Sequence, residues 1–362
     1  YTYDNLNNLT GLSRNGIITL YGYDGNGNLI KAVQGSLNTK YTYNKANLLT
    51  SKTVLESGGT RQQYDCEYLL NGIKMRERTS NIDYKHYSYD RMGRLTSSGE
   101  IKNNNLGIGN TYTYDTFGNR IKQISSDYEA DTRTIEYYTY DANNRLTEKS
   151  SKRANHSMTL DGTIAGDEHY YYDNNGNLIA QQKMSYEPDT FTSEAVISGR
   201  SDSGGMQVYR YDAFNRLIRY NSGDSEAFYT YNADNLRTSK TVNRTRTDFV
   251  WNGQNLAAEM SGDSVNTYTY DVTGIHMADM NGTMQTYLKD THNNVIGLTD
   301  KNGNKLEASY DYDAYGNQTY GDVLNPFGYC GEYYDSESGL IYLRNRYYDS
   351  STGRFISEDP VK

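Results

Sequence analysis

In short runs along the chain, ring-bearing residues alternate with polar ones, and each run ends in a cluster of Asp, Asn and Gly. The run reads Tyr-x-Tyr, then Asp or Asn, two variable residues, and Gly or Asn. Its second Tyr falls at Tyr3, Tyr23, Tyr43, Tyr89, Tyr114, Tyr140, Tyr172, Tyr211, Tyr231 and Tyr312, and all ten have a Tyr two residues earlier. A period of two puts both rings on one face of a strand, so neighbouring copies stack rings into cross-strand ladders. The next residue is Asp in eight copies and Asn in two, Asn44 and Asn232, and the residue three further on is always Gly or Asn. Asp or Asn opens a type I turn by bonding its own backbone. The last turn position needs a positive φ, which Gly meets freely and Asn tolerates. Leu follows the turn in seven copies, as at Leu29, Leu95, Leu178 and Leu217, to pack on the returning strand. Each repeat is therefore predicted to be one β-hairpin.

The first copies lie 20 residues apart, room for two strands of about seven residues and two turns. Residues 148–169, 181–207 and 241–266 are rich in Ser, Thr, Asp, Asn and Gly; some of these stretches are expected to hide degenerate hairpins and others longer loops. The predicted fold is all-β, one continuous array rather than linker-joined domains. A long open antiparallel sheet twists and exposes its edges, so it must curl, close or be capped. A sheet spiralling into a hollow shell solves this, with a stacked solenoid or several small sandwiches as the alternatives.

Composition supports a thin sheet. Of 362 residues 35% are hydrophobic, and that figure includes 39 Tyr, too little apolar volume for a thick core. Disordered chains are poor in aromatics, whereas this one has 13%, and only three Pro interrupt the ladders. A net charge of −9, with no long basic run, speaks against a nucleic-acid groove. No stretch approaches the ~20 apolar residues of a membrane span. Tyr1 begins inside a repeat with no signal peptide, so the chain reads as a piece of a longer protein. Cys66 and Cys330 match no metal-ligand spacing and read as two isolated buried thiols, a disulfide being open.

Several site signals fail for want of context. Ser201-Asp202-Ser203-Gly204-Gly205 resembles a serine-protease nucleophile segment but lies in a polar inter-repeat stretch. His86, His156, His169, His276 and His292 show no metal spacing and read as solvated or sheet-face residues. Asp24-Gly25-Asn26-Gly27-Asn28 and Asp173-Asn174-Asn175-Gly176-Asn177 begin like calcium loops but lack the sixth-position Gly and twelfth-position Glu. No metal site and no cofactor are expected. Tyr rows could stack on carbohydrate, but a structural ladder that holds the sheet together is the better reading.

From Asn325 the pattern changes. Asn325-Pro326-Phe327-Gly328-Tyr329 leads into Gly331-Glu332-Tyr333-Tyr334-Asp335-Ser336-Glu337-Ser338-Gly339-Leu340-Ile341-Tyr342-Leu343-Arg344-Asn345-Arg346-Tyr347-Tyr348-Asp349, and Gly353-Arg354-Phe355-Ile356-Ser357-Glu358-Asp359-Pro360 closes it. Two Tyr-Tyr-Asp-x-x-x-Gly turns, one residue longer than the earlier ones, flank a Tyr-Leu-Arg strand. This segment closely resembles the core of Rhs (YD-repeat) proteins, found in bacterial polymorphic toxins, insecticidal toxin complexes and wall-associated proteins; teneurins share the repeat type. With the upstream repeats the resemblance covers essentially the whole chain.

The resemblance implies a hollow cocoon, residues 1–324 forming its wall and residues 325–362 a core segment that turns inward and plugs one end. Its implied partners are a C-terminal effector held inside and N-terminal delivery or further repeat domains, in a protein secreted by or displayed on a bacterium. The scaffold itself is expected to be neither an enzyme nor a nucleic-acid binder. In several family members the core also cuts the chain with carboxylates, and Asp359 matches the position of one such carboxylate. Acid catalysis needs a second carboxylate sharing the site; the usual partner and scissile bond lie beyond Lys362, so this chain is not expected to process itself. Without that role Asp359 reads as an Asp-Pro turn initiator. Asp335 and Asp349 read as turn openers, and Arg344, Arg346 and Arg354 either orient a carboxylate or pair with neighbouring acids. Two rival functions remain: a glycan-binding surface repeat protein, and a self-cleaving aspartyl protease.

Overall fold

The computed structural model describes all residues except 57–58, 80–82, 155–162, 185–204, 224, 302, 304, 321–324 and 360–362. Among the described residues, 27 strands form one antiparallel sheet. From Thr2–Tyr3 to Lys305–Ser309 it is a meander, each strand pairing with the next in sequence, as the opening and closing pairs show.

The turn chemistry is local and repeats almost atom for atom. The Asp4 backbone accepts from Asn7 N–H and donates to Asn8 C=O, both at 3.0 Å. Its Oδ1 accepts the N–H groups of Leu6 and Asn8 at 2.9 and 2.8 Å, and its Oδ2 accepts Asn8 Nδ2 at 2.9 Å. Asn7 takes φ 65°, and Gly27, Asn47 and Gly93 in the same role take 82°, 58° and 78°. The ladder slips by one residue at each such turn, as between Gly22 and Tyr23. This is the type I turn with a left-handed bulge residue. Asp24 spends its carboxylate in the same way, on Asn26 and Asn28, so the calcium-like stretch is a turn.

At the opposite ends of the strands many hairpins close in two residues that both have positive φ, for example Asn15-Gly16 at 46° and 79° and Asn281-Gly282 at 49° and 91°. That geometry matches the right-handed twist of the flanking strands. Among the described residues, degenerate repeats occupy the polar stretch 241–266 and the edges of the other two. Residues 241–266 carry Thr245–Asn252 and Asn255–Ser261, while Thr163–Tyr172 and Met206–Tyr211 border residues that lie outside the described ones.

The sheet rolls until its end lies beneath its beginning. Adjacent side chains of Gly274–Met280 make this visible. Ile275 and Ala278 join the large aromatic core, whereas Met277, 0% exposed, packs with Leu9, Leu12, Tyr21 and Leu29 of the first hairpins. Residues 9–89 thus cover the outward face of the closing strands, residues 264–311. Against the inward face sits a separate four-stranded sheet of Tyr333–Asp335, Leu340–Leu343, Arg346–Asp349 and Arg354–Phe355. The architecture is an all-β spiral shell. Among the described residues no helix is long and apolar enough to cross a membrane.

Candidate functional site

The tyrosines do more than form ladders. The first Tyr of each pair points inward and is buried through most of the array: Tyr112, Tyr138, Tyr170, Tyr209 and Tyr229 are 2–4% exposed. The second Tyr reaches sideways to the preceding hairpin. Tyr23, Tyr43, Tyr114, Tyr140 and Tyr231 donate to the carbonyls of Leu9, Leu29, Leu95, Arg120 and Leu217 at 2.6–2.8 Å, and Tyr89 donates to Lys74 C=O at 3.0 Å. In degenerate copies Trp251 Nε1 donates to Arg237 C=O and Lys289 Nζ to Ile275 C=O, both at 2.7 Å. Tyr3 lies exposed at the sheet edge, Tyr172 packs against the aromatic core, and Tyr312 is itself buried. Of the repeat tyrosines, Tyr1 and Tyr3 at the opening edge are exposed, and the others are buried or half-buried.

The core segment lies on this ring-lined face. Phe327 meets Tyr268, Tyr333 and Tyr287 at ring distances of 4.9, 5.7 and 5.9 Å. Tyr333 packs edge-on against Phe249, and Tyr342 against Trp251. Pro326 C=O accepts Tyr334 N–H at 2.7 Å, Tyr348 OH donates to Tyr315 C=O at 2.9 Å, and Gly339 and Gly353 close the two longer turns at φ 73° and 69°.

Asp349 opens its turn, accepting from Ser351 and Thr352. Asp335 corrects the simpler reading. Its backbone opens a turn, but its carboxylate is 0% exposed and receives Arg237 NH1 and NH2 at 2.5 and 3.0 Å and Lys240 Nζ at 3.1 Å. Burial by itself raises this carboxyl; the Arg237 and Lys240 charges outweigh it and hold it below the usual carboxylate range. The Arg237 guanidinium, 1% exposed, lies 4.4–5.3 Å from the rings of Tyr342, Phe249, Tyr229 and Tyr333.

Sequence reasoning missed Arg237, yet a signal was present. Seven of ten repeats carry Leu six residues after the second Tyr; the exceptions are Arg120, Arg237 and Gln318. The two arginines are the anchors of the core segment. Arg120 NH2 donates to Thr352 C=O at 2.7 Å while its guanidinium lies 4.6 Å from the Tyr315 ring. Two of the three breaks in the hydrophobic pattern thus mark where the sheet meets the core segment.

The other core arginines hold the rim. Arg344 pairs with Glu332 and donates to Gln254 C=O at 3.1 Å. Arg354 donates to Asn144 C=O at 2.7 Å. Arg346 lies over the half-exposed Phe355 ring at 3.7 Å and pairs with Asp359 at 3.3 Å. Asp359 is exposed, its side chain 57% accessible, so the structure brings it together with a cation rather than burying it beside a second carboxylate.

Beside these contacts a cavity of mixed polar and aromatic lining lies between the core segment and the wall. Lys149, Glu168, Gln181 and Gln207 face Tyr334, Ser338 and Asp349 across a cavity of about 380 Å³. Lys149 pairs with Glu168 at 3.2 Å, and Glu168 also accepts Tyr170 OH and Gln181 Nε2, both at 2.8 Å. Neither cysteine is in a disulfide; Cys66 is buried and Cys330, against expectation, is exposed. His276 is covered by the first hairpins, 3.0 Å from Thr19 Oγ1. His156 and residues 201–204 lie outside the described residues.

No protein-family model matches the chain. It is 27% identical over 372 residues to the tRNA3(Ser)-specific nuclease WapA of Bacillus spizizenii, covering 99% of this chain and 14% of that protein. It is 25% identical over 341 residues to the probable deoxyribonuclease RhsB of Dickeya dadantii, covering 85% of this chain and 22% of that one. The chain therefore spans less than a quarter of the length of these curated relatives. The crystal structure of TcdB2-TccC3-Cdc42 matches 95% of this chain and 20% of that one with a TM-score of 0.51 at 17% identity, a likeness of fold.

Proposed function

The chain belongs to the Rhs/YD-repeat family, and from that premise we propose that it forms part of the shell of a bacterial polymorphic toxin, which encloses a C-terminal effector and delivers it. Residues 1–324 serve as wall and residues 325–362 as plug. In this reading the chain is not itself an enzyme; its partners are the effector in cis and N-terminal delivery or further repeat domains, in a protein that is secreted or displayed at the cell surface. One observation carries the proposal. The inward face of the rolled sheet is ring-lined where the core segment covers it, and a cavity opens between the two, where Lys149, Glu168 and Gln181 stand beside the Tyr209, Tyr310 and Tyr312 rings; a rolled sheet that holds space on its inner side is the geometry an enclosing shell requires. In the parent protein, a protease should digest the segment following the core at least about tenfold more slowly than the same segment alone. Equal rates would remove the proposal.

We extend the reading to Asp359 as the self-cutting carboxylate of a longer parent, oriented by Arg346. A parent chain that cuts itself should stop doing so as Asp359→Asn and keep its fold by circular dichroism. Unchanged cutting in that variant would assign the role elsewhere.

A further inference from the structure

The boundary between the opening strands and the closing strands is unlike any other in the sheet. Every strand-to-strand boundary along the meander is stitched by backbone hydrogen bonds, whereas among the described residues none crosses from residues 9–89 to residues 264–311. Side chains hold the two layers together, many of them polar. Arg14 bonds Thr267 and Thr269. Asn15 Nδ2 donates to Asp279 at 3.2 Å, Tyr21 OH to Asp271 at 3.1 Å and Gln34 Nε2 to Thr286 Oγ1 at 2.7 Å. Lys52 Nζ donates to Lys289 C=O and Lys74 Nζ to Thr291 Oγ1, both at 2.7 Å, and Lys85 Nζ reaches Asp311 at 2.6 Å. Apolar packing is concentrated at one end, around Met277.

We propose that the shell opens along this overlap, the two layers parting as intact sheets while the hairpin ladder stays whole. Polar side-chain contacts exchange with water at small net cost, whereas separating a strand pair exposes a complete row of backbone donors and acceptors. The overlap is also imperfectly packed: a cavity of about 70 Å³ lies between its layers, and an open one of about 540 Å³ at its edge extends to Glu100, Ile108 and Thr319. It buries an ammonium besides: burial and the neighbouring Lys289 pull Lys52 down to about 8, a cost that parting the layers relieves. Only the consequence of opening, release of a passenger, rests on the enclosure reading; the opening itself belongs to this chain.

Cys66 is a built-in reporter. Its thiol, 6% exposed, lies in the overlap 3.8 Å from Thr291 Oγ1, while Cys330, outside the overlap, supplies the reference thiol. In the unaltered chain a maleimide should label Cys66 faster than the amide hydrogens of the surrounding strand Gly59–Tyr68 exchange. Labelling no faster than that exchange would mean that no separate opening exists. Arg14→Ala and Gln34→Ala, remote from Cys66 in sequence, should each speed its labelling about tenfold with the circular dichroism unchanged. An unchanged rate, or acceleration that appears only with loss of sheet signal, would overturn the proposal. In the parent protein the same variants should hasten proteolysis of the effector. If the effector is digested equally in all forms while Cys66 responds as expected, enclosure fails and the opening stands.

Discussion

Asp335→Asn is expected to destabilise the seating of the core segment by about 3–5 kcal/mol, because it leaves the Arg237 guanidinium buried without its counter-charge. The pair is almost wholly concealed, at 1% and 0% side-chain exposure, and Lys240 cannot substitute because it too needs a carboxylate, sharing Asp335 and Glu337 at 3.1 Å. The measurement is hydrogen exchange over Tyr333–Asp335 and Leu340–Leu343 alongside the thermal midpoint, since a shell of this size need not unfold in two states. Replacing both partners with apolar residues, Arg237→Met with Asp335→Leu, should recover much of the loss. Arg219→Ala, at a surface pair with Glu226 whose side chains are 35% and 39% exposed, should cost no more than about 1 kcal/mol. Equal effects at the two sites would show that the buried pair does not anchor the plug. The pH dependence follows from the carboxyl's depressed value in the folded chain. Its contribution is complete above the unfolded carboxylate pKa near 3.8 and is lost as pH falls through the lower folded value.

Phe327→Ala should cost a similar amount, about 3–5 kcal/mol. The ring is 4% exposed and closed in by four tyrosines, with Tyr270 at 6.5 Å completing the set formed by Tyr268, Tyr287 and Tyr333. Such a cage cannot collapse without breaking the Tyr333 OH bond to Glu259, 2.8 Å long. Phe327→Leu fills most of the space and should lose less than half as much. Limited proteolysis at residues 325–331 reads the difference, and cleavage at the wild-type rate in Phe327→Ala would contradict the seating described here.

The hairpins were legible because their causes are local. A residue tolerating positive φ three positions after Asp or Asn determines the turn, and the turn determines the register of two strands. The sideways bonds of the second tyrosines were not legible, since Tyr-x-Tyr spacing says which face a ring occupies and nothing about which neighbour its hydroxyl reaches. Arg237 lay between these cases. Its departure from the Leu pattern could be read, but its partner, 98 residues away in Asp335, could not.

The sequence by itself determined an all-β string of hairpins, the face on which the rings lie, and the change of pattern at Asn325. Only the tertiary structure decided that the string rolls until its last strands lie beneath its first, that polar side chains close the overlap, and that two arginines seat the plug. The physical reason is accumulation. A small twist at each strand pair, summed over the whole meander, sets which distant strands meet, and no local spacing records that sum.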